Sequence, residues 1–313
     1  MKVLFHTPTL NFRGTTVAVA DYAKYNQEIL GNESIICYNE SIPYQRDMGT
    51  EPAVLEALSK RFQVVVNTDI EQVIDSNQVD VAYFLRAGNK EPLPTNCKTA
   101  VHAVFQLYEP HGDSYAYISE WLANKMHVGS PFVPHIVQLP KPIGDFKQAL
   151  SIAADKTVIG RIGGANTFDL PFVKQAIVNV LAKRSDYVFV FVGTNVWINH
   201  PNVIFLQEIH NLQQKSNFIN TCDAMIHGRS QGESFGLAIA EFLLLDKPVM
   251  AWEGGADQHH ASVLKDSGLL YTEQTVEDTI NNIKNYVGRE DWSLRVTKFS
   301  PTEVMNKFKK VFL

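Results

Sequence analysis

The densest set of reactive side chains lies in one run, His227-Gly228-Arg229-Ser230-Gln231-Gly232-Glu233-Ser234-Phe235-Gly236-Leu237-Ala238-Ile239-Ala240-Glu241, followed by the apolar Phe242-Leu243-Leu244-Leu245. This pattern predicts a strand end that passes through a loop into a helix buried all round, with Glu241 set inside the apolar stretch. A buried unpaired ion is costly, and a carboxylate accepts hydrogen bonds without donating any, so Glu241 calls for donors such as ribose hydroxyls. The helix start, near Ser234 to Gly236, offers free N–H groups and the positive end of a dipole, a seat suited to a diphosphate. Gly236 lets a ligand approach the backbone closely. From Gly236 to Glu241 the helix rises about 7.5 Å at 1.5 Å per residue, comparable to the reach from a diphosphate to its ribose. Glu233, before the helix start, then lies towards the sugar end of such a ligand.

The same run satisfies G-x-S-x-G at Gly228-Arg229-Ser230-Gln231-Gly232, with Asp257 and His259 downstream in the chain order of an α/β-hydrolase triad. A serine hydrolase using Ser230 is therefore a rival reading. It requires a helix almost directly after the serine, whereas Gly232 to Gly236 implies a longer loop. No metal site is expected: the chain has no Asp-x-Asp, and Cys37, Cys97 and Cys222 form no C-x-x-C and have no histidine at zinc-ligand spacing. His259-His260 and Glu109-Pro110-His111-Gly112-Asp113 read as loop residues without an assigned role.

The elements that must position these groups alternate between short β-rich runs and longer helical patterns, and they do so twice. Strands are expected at Lys2 to His6, Ser34 to Tyr38, Gln63 to Val66, Val79 to Leu85 and Thr99 to Val104. The second series runs from Lys156 to Gly160, then Tyr187 to Val192, Asn202 to Leu206, Asp223 to His227, Pro248 to Trp252 and Leu269 to Tyr271. After Gly14, Val19, Tyr22, Ala23 and Leu30 recur at helical spacing. Leu139-Pro140-Lys141-Pro142-Ile143-Gly144-Asp145 has the composition of a connector. The expected fold is α/β, with Rossmann-like doubly wound parallel-sheet domains at 1–143 and 144–297. A capped helix in 298–313 is expected to return to the first domain. Doubly wound sheets bind ligands at the carboxyl ends of their strands, so two facing sheets predict an interdomain cleft.

A length of 313 residues suits two domains of about 150 residues each. A formal charge of -5 provides no basic field for a phosphate backbone, so a small ligand is favoured over nucleic acid. The N-terminus reads as a buried strand rather than a signal peptide, and no apolar run approaches the roughly 20 residues that span a bilayer. Membrane contact would be peripheral. Three widely spaced cysteines read as reduced packing residues of a cytoplasmic protein.

With these residues in place, the chain resembles retaining glycosyltransferase family four (glycosyl transferases group 1), of the two-domain GT-B fold. Glu233 and Glu241, with seven residues between them around Ser234-Phe235-Gly236-Leu237, are similar to its E-x7-E motif. The resemblance extends through Val158-Ile159-Gly160-Arg161-Ile162, Phe132-Val133-Pro134-His135-Ile136-Val137 and Gly254-Gly255 with Ser267-Gly268-Leu269-Leu270, more loosely in the first half. It implies an acceptor-side N-terminal domain and a donor-binding second domain. It also implies that Glu241 binds ribose and that Glu233, Ser234 and the Phe235-Gly236-Leu237 backbone contact the donor sugar and phosphate.

By the same resemblance Arg161 neutralises the diphosphate, a role that its Gly160 context favours over a surface ion pair. Arg13-Gly14-Thr15-Thr16 looks like the glycine-rich loop near the donor phosphate, and His102 like the histidine that contacts the sugar. Read alone, a histidine on an apolar strand is usually a satisfied core residue. Ser119-Glu120 resembles the pair that opens a first-domain helix. The expected activity is transfer of a hexose-type sugar from a nucleotide-diphosphate sugar, such as a UDP- or GDP-sugar, with retention, without metal and without a cofactor. The departing diphosphate would help deprotonate the acceptor, and charge stabilisation would carry the catalysis.

One departure stands out. Where the family carries a lysine shortly after the arginine, this chain has Gly163-Gly164-Ala165-Asn166-Thr167-Phe168. Lys174 is expected too far into the next helix, while Arg13 or Arg229 could supply the second cation from a loop. A catalytically inactive nucleotide-sugar binding module is the corresponding alternative.

Overall fold

Runs such as Val3-Leu4-Phe5 and Tyr187 to Val192 are apolar at successive positions rather than alternate ones, so both faces of their sheets must be covered. Crossover helices on a parallel sheet provide that cover. A computed structural model describes residues 1–39 and 49–313. It divides into one unit of Met1–Ile136 with Phe299–Leu313 and a second of Val137–Lys298.

In the first unit, strands β1 (Lys2–Thr7), β2 (Glu33–Tyr38), β3 (Gln63–Val66), β4 (Val81–Arg86), β5 (Lys98–Ala103) and β6 (Ser114–Tyr117) form one parallel sheet in the order β3-β2-β1-β4-β5-β6. Helices α1 (Gly14–Glu28), α2 (Pro52–Ser59), α3 (Ile70–Asn77) and α4 (Glu120–Met126) connect or follow them. Leu4, Ile35, Cys37, Ile74, Ala82 and Phe84 pack as a buried cluster on this sheet. Asp69 caps α3, its carboxylate accepting from the N–H groups of Glu71 and Gln72, and Ser119 caps α4. Strand β6 was not expected from sequence, because the four residues Ser114-Tyr115-Ala116-Tyr117 are too short and mixed to show a period.

The second unit repeats the design with β7 (Thr157–Ile162), β8 (Tyr187–Val192), β9 (Val203–Leu206), β10 (Ala224–His227), a two-residue β11 (Gly232–Glu233), β12 (Val249–Trp252), a two-residue β13 (Asp257–Gln258) and β14 (Leu270–Tyr271). Its sheet order is β14-β12-β10-β7-β8-β9, while β11 and β13 pair separately, also in parallel. Helices α5 (Pro171–Lys183), α6 (Leu212–Thr221), α7 (Leu237–Leu244), α8 (His259–Val263) and α9 (Val276–Asn281) complete it. Counted within each unit, both six-stranded sheets have the doubly wound order 3-2-1-4-5-6.

The division between units falls after Ile136, ahead of the boundary at 143 expected from the proline-rich connector. The connector is stapled to α6. Ser216 Oγ donates to the Pro140 carbonyl at 2.6 Å, the Ile143 N–H donates to Asn217 Oδ1 at 3.0 Å, and the Phe146 N–H donates to Thr221 Oγ1 at 2.8 Å. At the other end, α10 (Pro301–Phe312) belongs to the first unit, where it buries Val304, Met305, Phe308 and Phe312. The Phe308 ring lies 5.2 Å from Tyr83 and 5.3 Å from Tyr22, against one face of the sheet. Among the described residues no helix is long and apolar enough to cross a membrane.

Cys37, Cys97 and Cys222 are all free, and Cys222 explains a glycine. A Cβ on Gly160 would stand 2.3 Å from Cys222 Sγ and 3.2 Å from the Phe242 ring, so Gly160 lets α6 and α7 approach β7. Its role in the fold is packing. Gly160→Ala is expected to destabilise the protein by about 1–3 kcal/mol, read as a lower urea midpoint. The loss should shrink in a Cys222→Ala background, where Sγ is gone.

Candidate functional site

In a doubly wound sheet the neighbouring strands on either side of the order reversal send their crossover helices to opposite faces, leaving a crevice at their carboxyl ends. In the second unit those strands are β7 and β10. Arg161 is the penultimate residue of β7 and His227 the last of β10. The topology therefore brings together the two segments that carry most of the charged groups singled out in the sequence.

After His227 the chain makes a turn, bonds as β11 to β13, and enters α7. Gly232 adopts φ +75°, and a Cβ there would overlap the Asp257 carbonyl oxygen at 1.9 Å, so only glycine fits. Glu233 is thereby held over the crevice and clamped by two cations or donors. His227 Nε2–H donates to Oε1 at 3.1 Å, and Arg229 Nη1 donates to Oε2 at 3.1 Å. Burial opposes ionisation of Glu233, but the His227 and Arg229 contacts outweigh it and hold the carboxyl below the ordinary glutamate range.

The Glu233 backbone is fixed as well. Its N–H donates to His260 Nδ1 at 3.3 Å, while His260 Nε2–H donates to the Trp252 carbonyl at 2.8 Å. These partners define one neutral tautomer, in keeping with a pKa that burial, aided by the nearby His227, lowers from 6.5 to about 4. His259 is likewise lowered to about 4, chiefly by burial, with its Nδ1–H on the Phe235 carbonyl at 2.6 Å and its ring stacked on Phe235. The adjacent histidines read as loop residues are thus buried supports of the loop.

Arg161 is 4% exposed. Its guanidinium donates to the hydroxyls of Thr194 and, at 2.6 Å, Thr167, and lies 5.3 Å from the Phe168 ring centre. Burial lowers its pKa to about 10, the Glu233 and Asp169 carboxylates acting in the opposite sense and Arg229 adding to the burial effect. Arg161 remains a cation at neutral pH, beside Glu233 and Arg229. Lys174 lies within α5, with Nζ 5.8 Å from the Trp197 ring centre.

Helix α7 starts at Leu237, with Gly236 in the left-handed region at φ +82° as its N-cap. Among the described residues no side chain caps this end, so its first N–H groups are directed to whatever occupies the loop. The expectation of burial all round holds from Ile239 to Leu243 but not for Leu237, Ala238 or Leu244, which are half-buried. Glu241 is 4% exposed, and its Oε1 accepts from Lys215 Nζ on α6 at 2.8 Å. That lysine was missed from sequence, because the pairing joins two helices across 26 positions and leaves no local signature.

Ser230 does not form a nucleophile elbow. Its N–H and Oγ both donate to the Asp169 carboxylate, at 2.7 and 2.6 Å, and the next helix begins only at Leu237. His259, the triad's candidate base, is bonded to Phe235 in the interior. Asp169, unassigned from sequence, ties the loop after β7 to the loop after β10.

The first-unit residues fall into two groups. Arg13, Gly14 and Thr15 are exposed at the start of α1, which follows β1 at the reversal point of its own sheet, and among the described residues nothing stands within 4 Å of where a Gly14 Cβ would lie. His102, by contrast, is fully buried within β5. Its Nδ1 is 2.7 Å from the Tyr83 hydroxyl, its ring packs among Tyr22, Tyr83, His135 and Phe312, and burial lowers its pKa to about 4. Its side chain is a core group rather than one presented at the strand ends.

No family model matches the chain, and no curated protein does. Solved structures share its fold. Covering 99% of this chain, a glycosyltransferase from Rickettsia africae ESF-5 superposes at TM-score 0.70 with 12% identity over 97% of its own length. Anabaena Alr3699/HepE in complex with UDP-glucose superposes at 0.71 with 14% identity, covering 99% of this chain and 98% of that one. S. aureus TarM, solved with UDP and α-GlcNAc-glycerol among its ligands, superposes at 0.68 with 10% identity over 100% and 99%. The two-sheet α/β fold is that of these GT-B glycosyltransferases.

The buried neutral histidines predict how stability depends on pH. Unfolded chains bind protons at an ordinary histidine pKa near 6.5, whereas His259 and His260 resist them until about 4. Stability should therefore be complete above that upper value and decline as pH falls towards the lower one, by at most about 1.4 kcal/mol per pH unit for each histidine. His260→Gln is expected to flatten the decline, measured by urea unfolding between about pH 7 and about pH 5.

Proposed function

We propose that this protein is a glycosyltransferase that moves a hexose-type sugar from a nucleotide-diphosphate sugar to an acceptor hydroxyl, with retention and without a metal. The observation that carries this reading is the convergence of Arg161, Arg229 and Glu233 beside the uncapped start of α7, at the crevice of a doubly wound sheet.

In this reading the α7 N–H groups and Arg161 receive the diphosphate, and the Phe235-Gly236-Leu237 backbone and Ser234 line its approach. Arg229 supplies the second cation that the segment after Arg161 lacks. Glu233 orients the sugar, and Glu241 accepts from the ribose. Arg13, Gly14 and Thr15, exposed at the start of α1, form the first unit's own candidate phosphate-contacting loop. As the glycosidic bond to the diphosphate breaks, charge develops on the leaving oxygens, and fixed donors and guanidinium groups stabilise it without reorganising. The leaving phosphate takes the acceptor proton on the face it departs from, so the acceptor adds with retention and no protein nucleophile is consumed.

A UDP-sugar is the first donor to test, because HepE, which shares the fold, is solved with UDP and with UDP-glucose. The working location we propose is the cytoplasm, where such donors are made available, with any membrane contact peripheral.

A thermal-shift panel of UDP-, GDP- and ADP-sugars should give stabilisation by one nucleotide class, unaffected by EDTA. Glu241→Ala should weaken that nucleotide's binding by about tenfold or more. Arg161→Ala should reduce turnover by about 100-fold or more, while changing binding of the free nucleoside little. Stabilisation by donor with neither transfer nor hydrolysis would instead mark the protein as a binding module.

A further inference from the structure

Resting on the proposed role of Glu241, we infer that Lys215 is a positioning residue that sets the protein's preference for ribonucleotides over 2′-deoxyribonucleotides. The juxtaposition is specific. Lys215 lies in the first turn of α6, and Glu241 on the second turn of α7. Their side chains are 14% and 5% exposed, and Nζ meets Oε1 at 2.8 Å. Among the described residues Lys215 is the only side chain that bonds Glu241.

An ammonium with three donors on a flexible stem can hold one carboxylate oxygen and leave the other oriented outward. A ribose presents two adjacent hydroxyls, both of which can donate, and it gains most from a carboxylate whose rotamer is already fixed. Free rotation of the glutamate would have to be frozen on binding, and that cost falls on the ligand. With Oε1 occupied by Lys215, the remaining acceptor sites of Glu241 meet the diol in one geometry. A deoxyribose leaves part of this array unpaired, which is how a site built for a hydroxyl rejects an analogue that lacks it.

The Lys215 ammonium has no other hydrogen-bond partner among the described residues, and Glu241 sits inside the apolar run of α7, so the pair is the structure's own solution to a buried charge. The lysine is not a catalytic residue; it acts through the glutamate.

The test compares UDP with 2′-deoxy-UDP, and GDP with 2′-deoxy-GDP, by calorimetry on the full chain. The unchanged protein should bind the ribonucleotide about tenfold or more tighter than its deoxy form. Lys215→Met should bring that ratio close to one, with Lys215→Arg restoring part of it and circular dichroism confirming that both variants fold. If the unchanged protein discriminates and Lys215→Met keeps the full ratio, the inference about Lys215 falls while the role of Glu241 stands. If the unchanged protein binds both sugars equally, the ribose role of Glu241 falls and this inference with it. A misfolded Lys215→Met is answered by the arginine variant, which must retain a ratio above one.

Discussion

A carboxylate drawn wholly or partly out of water has to be met by a donor, and the second unit of this protein is arranged around two such carboxylates, the buried Glu241 and the half-buried Glu233, on either side of one helix start. Glu233 is met by His227 and Arg229, and Glu241 by Lys215. The partners arrive from different elements, β10 and its loop in the first case and α6 in the second. Each pairing therefore fixes a distance between elements as well as satisfying a charge. Between the two acids lies Gly236, whose left-handed backbone turns the chain into α7 and leaves its first N–H groups uncapped.

The sheet topology explains why these groups meet at all. Both units wind their six strands in the same order, and the reversal in the second unit separates the helices that follow β7 and β10. Arg161 at the end of one strand and the Glu233 loop at the end of the other are thus placed on the same side of the sheet. Asp169 then ties the two loops by accepting two hydrogen bonds from Ser230. The serine in the hydrolase-like spacing is a structural donor, and the histidines behind it are buried braces. A loop rich in reactive residue types is in large part devoted to holding one glutamate still.

Much of the architecture was legible in advance, since parallel sheets covered on both faces need continuous apolar runs and those runs are long enough to be seen. Strand β6 and the β11–β13 pair escaped because their residues, Ser114-Tyr115-Ala116-Tyr117, Gly232-Glu233 and Asp257-Gln258, form no apolar run. The connector was recognisable as a connector, yet its backbone groups are bonded by side chains of α6, and the unit boundary falls before it. His102 shows the converse limit. Its position near a strand end was correct, but the inward face of β5 and the aromatic residues of α1 and α10 around it make it part of the core.

By itself the sequence determined the α/β class, the repeat of the doubly wound pattern, and the burial of Glu241 within an apolar helix, because all three follow from the periodicity of neighbouring residues. Only the tertiary structure decided which groups answer those charges. Lys215, Asp169 and His260 reach their partners from elements distant along the chain, and side-chain pairing across such separations depends on strand order and helix placement, which no local spacing encodes. The same holds for Gly160, whose missing side chain answers to Cys222 and Phe242 rather than to its neighbours in the strand.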